Sequence, residues 1–145
     1  MTALRIKSVE EKLKKLREII DKLEELKKIS YDQFINESIY PDATMRNLQV
    51  GVEAVVDIGT HMLSEIFQVK VSEYKEAIQK LGETGVVPRQ FAKENTDMAK
   101  FRNLLVHEYG DIDIAKVYAY LQKAPDIFRQ FAKYYVEFLE KADKS

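Results

Sequence analysis

A short polar cluster late in the chain carries the residue types best suited to proton transfer and phosphate chemistry. It comprises Arg102, Asn103, His107 and Tyr109, with three apolar residues between Asn103 and His107. Asn103 and His107 are four residues apart, which on an α-helix places them on one face, roughly 40° apart. Arg102 lies about 140° from His107 by the same count, but its long side chain can reach over the edge of a helix.

These residue types can act on a phosphodiester. An imidazole, with an unperturbed pKa of about 6.5, exchanges protons near neutral pH. In the functional interpretation, His107 moves a proton to or from a ribose 2′-hydroxyl or a leaving 5′-oxygen. Arg102 then neutralises charge on the phosphorane as a bidentate phosphate partner. No metal is needed if the 2′-hydroxyl is the nucleophile. The alternative is structural, because a single histidine near a helix end often caps or packs.

Composition limits the class of protein and the kind of phosphate site. A chain of 145 residues that is 46% hydrophobic predicts one globular domain over residues 1–145. Its net charge of -1 excludes nucleic-acid binding through bulk positive charge, so a phosphate partner needs a local cluster or a site shared between subunits. The absence of cysteine excludes disulfides and thiolate metal sites, which is consistent with the cytoplasm. No apolar run approaches the roughly 20 residues of a membrane span, so no membrane partner is expected.

Capping and turn residues predict where the first helices begin and end. A capping-box pattern at Ser8 predicts the start of a long amphipathic helix, and a second one at Ser30 predicts a short helix. Another long helix is predicted from Pro41 or Asp42 to about Gln68.

The second half of the chain is also predicted to be helical. A short helix spans residues 73–81, and a longer one begins at Pro88 and ends near His107. Asp113 is expected to cap a helix that breaks or kinks at Pro125, before a final aromatic helix. Because no strand-like alternation competes, the predicted fold is all-α, an up-and-down bundle of five or six helices.

The second long helix has an unusual polar face. Glu53, Asp57 and His61 follow a four-residue spacing, so they lie on one stripe. Two interpretations are open: a divalent metal site, which would need further ligands, or a polar face partly buried against a partner, which the pattern favours. On the same helix, Gly51 and Gly59 suggest close approach of another backbone.

The polar cluster resembles the Arg-x4-His-x-Tyr motif of HepT-like toxins. These are ribonucleases of the HEPN superfamily (higher eukaryotes and prokaryotes nucleotide-binding domain). The similarity also covers residues 45–48 at the start of the second long helix, residues 85–88 before the motif and residues 110–113 after it. In all, it extends from about Ser8 to Leu139.

This resemblance implies a specific activity and specific partners. It implies a homodimer whose two motifs face each other across a cleft, and metal-independent cleavage of RNA (tRNA or mRNA) with no cofactor. It also implies a cognate minimal nucleotidyltransferase as antitoxin, which transfers AMP onto the tyrosine matched by Tyr109. Arg102 and His107 match the catalytic positions. The supporting or phosphate-orienting positions are matched by Asn103, Glu53, Asp57, Arg46 and Asn47.

Two other functions remain open at the level of sequence. One is a non-catalytic nucleotide-binding or adaptor subunit of a nucleotidyltransferase complex, and the other is a helical dimerisation module. The complete pair of Arg102 and His107 favours the ribonuclease, because a purely structural relative does not need both residues.

Overall fold

The computed structural model describes residues 3–107 and 112–144, and the side chains of residues 7–105 and 112–142. The described residues form helices and short connections, without strands, which confirms the predicted all-α bundle. None of these helices is long and apolar enough to cross a membrane. Five helices have ten residues or more and two have six: α1 Ala3–Lys27, α2 Tyr31–Asn36, α3 Ile39–Phe67, α4 Tyr74–Glu83, α5 Arg89–Glu94, α6 Asp97–His107 and α7 Ile114–Lys144.

The three longest helices, α1, α3 and α7, pack against one another. The Tyr118 hydroxyl donates to the Ile29 carbonyl at 2.8 Å, and Arg129 pairs with Glu24 at 3.0 Å, so α7 runs antiparallel to α1. The apolar stripes predicted for these helices are buried between them. The largest fully enclosed side chains of this core are Leu16, Leu23, Leu48, Met62, Phe128, Phe131 and Tyr135.

Gly51 and Gly59 allow α7 and α4 to approach α3 closely. A Cβ at Gly51 would clash with the edge of the Phe128 ring at Cε2, and one at Gly59 would lie 2.7 Å from both Leu81 and the Tyr135 hydroxyl. The two glycines therefore accommodate large side chains. The prediction that another backbone lies against these glycines was wrong, because side chains fill the space beside them.

The start of α2 confirms one capping prediction and the start of α1 corrects another. Ser30 caps α2, with its side chain accepting from the Gln33 amide at 3.2 Å. Ser8 caps nothing, because α1 already begins at Ala3 and continues through it. The five residues before Ser8 are good helix formers apart from one β-branched isoleucine, so no cap is required there.

The single helix predicted from Pro88 to His107 is two helices. The Asn95 amide donates to the Phe91 carbonyl at 2.8 Å, and the Thr96 hydroxyl donates to the Lys93 carbonyl at 3.1 Å. Such side-chain bonds compete with the helical ladder. They accompany the end of α5 at Glu94, and α6 begins at Asp97.

The break predicted at Pro125 does not occur, because α7 continues through it to Lys144. The predicted cap is present, since the Ala115 amide donates to the Asp113 carboxylate at 2.9 Å. Proline costs a helix interior about 3 kcal/mol. Pro125 and its neighbours Ala124 and Phe128 are buried, and this packing outweighs that cost.

Helices α4 and α6 pack on the part of α3 that carries the polar stripe, and they also contact each other. The turn before α5 includes Gly85, whose φ of +80° suits glycine, and brings Val86 and Val87 into the core. The first residue of α4 and the middle of α6 thus meet the middle of α3.

Candidate active site

Arg102 is the point where α3, α4 and α6 converge. Its side chain is 22% exposed, and its Nη2 lies 3.4 Å from the Glu53 carboxylate on α3. The guanidinium carbon lies 4.7 Å from the centroid of the Tyr74 ring on α4, a cation–π contact. The structure therefore brings together Arg102 and Glu53, two of the predicted site residues, 49 positions apart in the chain.

The hydrogen bonds of the Arg102 guanidinium are long. Besides the contact with Glu53, Nη1 donates to the Asn103 side chain at 3.5 Å. The Nε–H is buried and has no acceptor among the described residues. Glu53 is better satisfied, because it also accepts from Gln49 at 2.9 Å. Donors held this weakly can move to a stronger acceptor, such as a phosphate oxygen, at little cost.

Burial raises the pKa of the Tyr74 phenol above its ordinary value. The positive charge of Arg102 opposes this shift, while the carboxylates of Glu53 and Asp57 add to it. Tyr74 is therefore a neutral ring at physiological pH, lying between a cation and two anions.

Tyr74, together with Ser72 and Glu73, lines two neighbouring grooves of opposite charge. The cationic groove, about 500 Å³, contains three basic side chains and one acidic side chain; it is lined by residues 72–75, Thr96, Ala99, Lys100, Arg102 and Asn103. The acidic groove, about 230 Å³, contains three carboxylates and no basic side chain; it is lined by Glu53, Val56, Asp57, Thr60 and residues 71–74. Only the cationic groove suits a phosphate.

Asp57 and His61, which follow Glu53 on the polar stripe of α3, lie in different surroundings. Asp57 accepts from Lys12 of α1 at 2.5 Å, so this carboxylate is already paired. His61 is half-buried, and its Nε2 is enclosed without a partner among the described residues. Among the side chains of residues 7–105 and 112–142, no three histidine, aspartate or glutamate residues are grouped to hold a metal ion.

Arg46 and Asn47 lie about two helical turns before Glu53 on α3. Arg46 is exposed, and the Asn47 amide donates to the Ala43 carbonyl of its own helix at 2.8 Å. Within one chain the structure does not bring either residue to Arg102.

The side chains of two predicted site residues, His107 and Tyr109, lie outside the described part of the structure. His107 is the last residue of α6, and its imidazole lies outside the described side chains. Tyr109 lies outside the described residues altogether. Their predicted roles remain predictions.

Two residues at the site were not predicted from sequence. Tyr74 gave no signal beyond an aromatic residue at the start of a short helix, and its partner Arg102 is 28 positions away. Lys12 is one of many charged residues on the amphipathic helix α1. Its pairing with Asp57 depends on the packing of α1 against α3.

Comparison with known proteins places the chain in a family. The family model described as Ribonuclease HepT-like matches residues 16–135. The protein named tRNA nuclease HepT, from Aphanizomenon flos-aquae (strain 2012/KM1/D3), is 31% identical over 147 residues, covering 99% of this chain and 100% of the relative.

Two solved structures share the fold at lower identity. The tri-AMPylated HEPN toxin of Shewanella oneidensis, in complex with its MNT antitoxin, superposes with a TM-score of 0.76 at 20% identity, covering 92% of this chain and 97% of the toxin. The cytosolic protein YutE of Bacillus subtilis gives a TM-score of 0.75 at 22% identity, covering 92% of each chain.

These comparisons confirm the HepT-like resemblance and the HEPN-like fold. They also confirm, at the level of the family, the prediction of an enzyme of the ribonuclease class. The chain belongs to the Ribonuclease HepT-like family.

Proposed function

We propose that this protein is a metal-independent endoribonuclease and the toxin of a toxin–antitoxin pair, acting in the cytoplasm as a single domain. The observation that carries the proposal is Arg102, a partly buried guanidinium with long hydrogen bonds at the edge of a cationic groove. Because the whole chain is nearly neutral, this groove is a local site of the kind that RNA binding would require.

In the proposed reaction a ribose 2′-oxygen attacks the adjacent phosphorus, and the bond to the 5′-oxygen breaks. His107 accepts the 2′-hydroxyl proton or donates a proton to the leaving 5′-oxygen. Arg102 releases its long bond to Glu53 and pairs with the phosphoryl oxygens as negative charge builds on them. The products are a 2′,3′-cyclic phosphate and a 5′-hydroxyl. One proton leaves the 2′-hydroxyl and one is gained by the 5′-oxygen, with water performing whichever of the two transfers His107 does not, so no metal is needed.

The neighbouring polar residues would support Arg102. Asn103 shares its groove and could donate to a phosphate oxygen, while Lys75 and Lys100 are exposed along it. These lysines would hold the RNA backbone, so replacing either with alanine should raise KM and reduce its dependence on salt. Glu53 would keep the guanidinium in place until RNA arrives.

We also propose that the protein acts as an isologous homodimer. The cationic groove is open to solvent in one chain, and α6, which carries Arg102, borders it together with the start of α4. Two copies facing each other would concentrate two Arg102 side chains in one cleft. Asp57, Arg46 and Asn47 of one protomer would then be able to contact RNA bound at the Arg102 of its partner. A monomeric mass in solution at micromolar concentration would contradict this assembly.

The proposed antitoxin is a minimal nucleotidyltransferase that transfers AMP to Tyr109. The support is the Shewanella oneidensis toxin, which is AMPylated and bound to an MNT antitoxin. The sequence adds that Tyr109 is two positions after His107, where an added phosphate would compete with RNA for Arg102. Intact mass after incubation with the antitoxin and ATP should show added AMP on the wild type but not on Tyr109→Phe. AMP that persists on Tyr109→Phe would refute this site.

The proposed activity is tested by incubating tRNA and single-stranded RNA with the wild type and His107→Ala in EDTA. We expect the wild type to cleave and His107→Ala to lose roughly 10²–10⁴-fold in rate, with an unchanged helical spectrum. The matched control is His61→Ala, which removes the other histidine and should keep activity. RNA binding by the wild type without cleavage would instead support the non-catalytic adaptor.

A further inference from the structure

The restraints on the Arg102 side chain are of unequal quality. Its contacts with Glu53 and Asn103 measure 3.4 and 3.5 Å, beyond the usual range for such hydrogen bonds. The Tyr74 ring, in contrast, lies within 4.7 Å of the guanidinium carbon, well inside the distance at which cation–π attraction acts. The ring is therefore the firmest contact that orients the guanidinium.

The position of Tyr74 in the chain makes it a rigid support. It is the first residue of α4, a helix anchored in the core by the buried side chains of Ala77, Ile78 and Leu81. Its side chain is half-buried and lines both the cationic and the acidic groove. Arg102, whose guanidinium rests on this ring, lines the cationic groove and not the acidic one.

We propose that Tyr74 is a positioning residue for Arg102: its ring face holds the guanidinium plane so that the donors are ready for a phosphate in the cationic groove. This inference rests on the proposed function. Because the attraction arises from the ring and not from the hydroxyl, phenylalanine should replace Tyr74 fully. Leucine keeps much of the bulk but has no π face.

Replacing Tyr74 with leucine should lower kcat and leave KM nearly unchanged. Tyr74→Phe should cleave RNA within about twofold of the wild type, whereas Tyr74→Leu should lose roughly 5- to 30-fold in kcat, the range expected for a partly desolvated cation–π contact. KM should change less than about twofold, because the contact with Arg102 matters most when charge builds on the phosphate. In the Arg102→Ala background, Tyr74→Leu should cause no further loss, as coupled residues require.

Tyr31→Leu is the matched control. Tyr31 is also the first residue of its helix, and its ring packs edge-to-face on Tyr118 at 5.1 Å, away from Arg102. A general loss of packing would lower the thermal stability of both leucine variants, but only Tyr74→Leu should lose kcat.

A second readout does not depend on RNA cleavage. The Arg102 Nε–H resonance, assigned with Arg102→Ala, should carry a ring-current shift in the wild type and in Tyr74→Phe, and lose it in Tyr74→Leu. If wild-type cleavage is absent or insensitive to Arg102→Ala, the proposed function fails. The positioning inference is still tested in that case, because an unchanged Arg102 resonance in Tyr74→Leu would overturn it. If cleavage does depend on Arg102, a fully active Tyr74→Leu, a loss confined to KM, or a Tyr74→Phe as defective as Tyr74→Leu overturns it.

Discussion

Replacing Arg102 with alanine should greatly reduce the cleavage activity while changing the free energy of unfolding only slightly. The variant loses the cation–π contact with Tyr74, about 1 kcal/mol in a partly exposed setting, and a long ion pair worth about 0–1 kcal/mol. It also removes a buried Nε–H without an acceptor among the described residues, which returns roughly 1 kcal/mol. Glu53 keeps its bond from Gln49 and is not left unpaired. The net loss should be about 0–1 kcal/mol, or at most about 3 °C in Tm.

The same change should reduce kcat by about 10²–10³-fold, the usual cost of removing a donor to developing negative charge. Urea unfolding followed by circular dichroism gives the free energy of unfolding, and cleavage of labelled RNA gives kcat. Arg129→Ala is the control, because Arg129 pairs with Asp126 at 2.7 Å and Glu24 at 3.0 Å and lines neither the cationic nor the acidic groove. Full activity in Arg102→Ala, or a loss of stability above about 3 kcal/mol that explains the inactivity, would refute the reasoning.

Further expectations concern the core. The Tyr135 hydroxyl donates to the Val55 carbonyl at 2.8 Å, so Tyr135→Phe should lower the free energy of unfolding by about 0.5–1.5 kcal/mol in the same urea experiment. The buried Tyr120 hydroxyl has no partner among the described residues, so Tyr120→Phe should be neutral or stabilising. Burial raises the pKa of both tyrosines, so the folded state keeps phenol protons that the unfolded chain releases near pH 10; stability should fall as pH rises above about 10, and less steeply in either variant. Gly51→Ala should destabilise the protein by about 1–3 kcal/mol, despite better helix propensity, because its Cβ meets Phe128; a Tm equal to that of the wild type would contradict this packing.

Local signals predicted most of the fold. The Ser30 cap, the burial of the predicted apolar stripes and the end of α3 near Gln68 depend on residues close in sequence, and the structure confirms them. The errors at Pro125 and Asn95 have different causes. The continuation of α7 through Pro125 depends on packing against distant helices, which a local pattern does not contain. The end of α5 depends on local bonds from the Asn95 and Thr96 side chains to carbonyls of the same helix, and residue type alone did not show that these bonds would replace the helical ones.

The candidate site was predictable only in part. The polar stripe on α3 and the motif on α6 indicated residues without an evident core role, and the contact between Glu53 and Arg102 shows that these two elements meet. Tyr74 and Lys12 could not be found in this way. Their roles depend on the three-dimensional arrangement of α4 and α1 around α3, and neither residue stands out by type or spacing.

The central claim is that a 2′-hydroxyl attacks its own phosphodiester, with Arg102 and His107 as the groups that assist. The most direct measurement uses two labelled RNA oligonucleotides in EDTA, identical except for a single 2′-deoxyribose at the cleaved nucleotide. We expect the all-ribose RNA to be cut to a 2′,3′-cyclic phosphate and a 5′-hydroxyl, while the substituted RNA remains intact at that position. Equal cleavage of both RNAs, or no cleavage until Mg²⁺ is added, would contradict it.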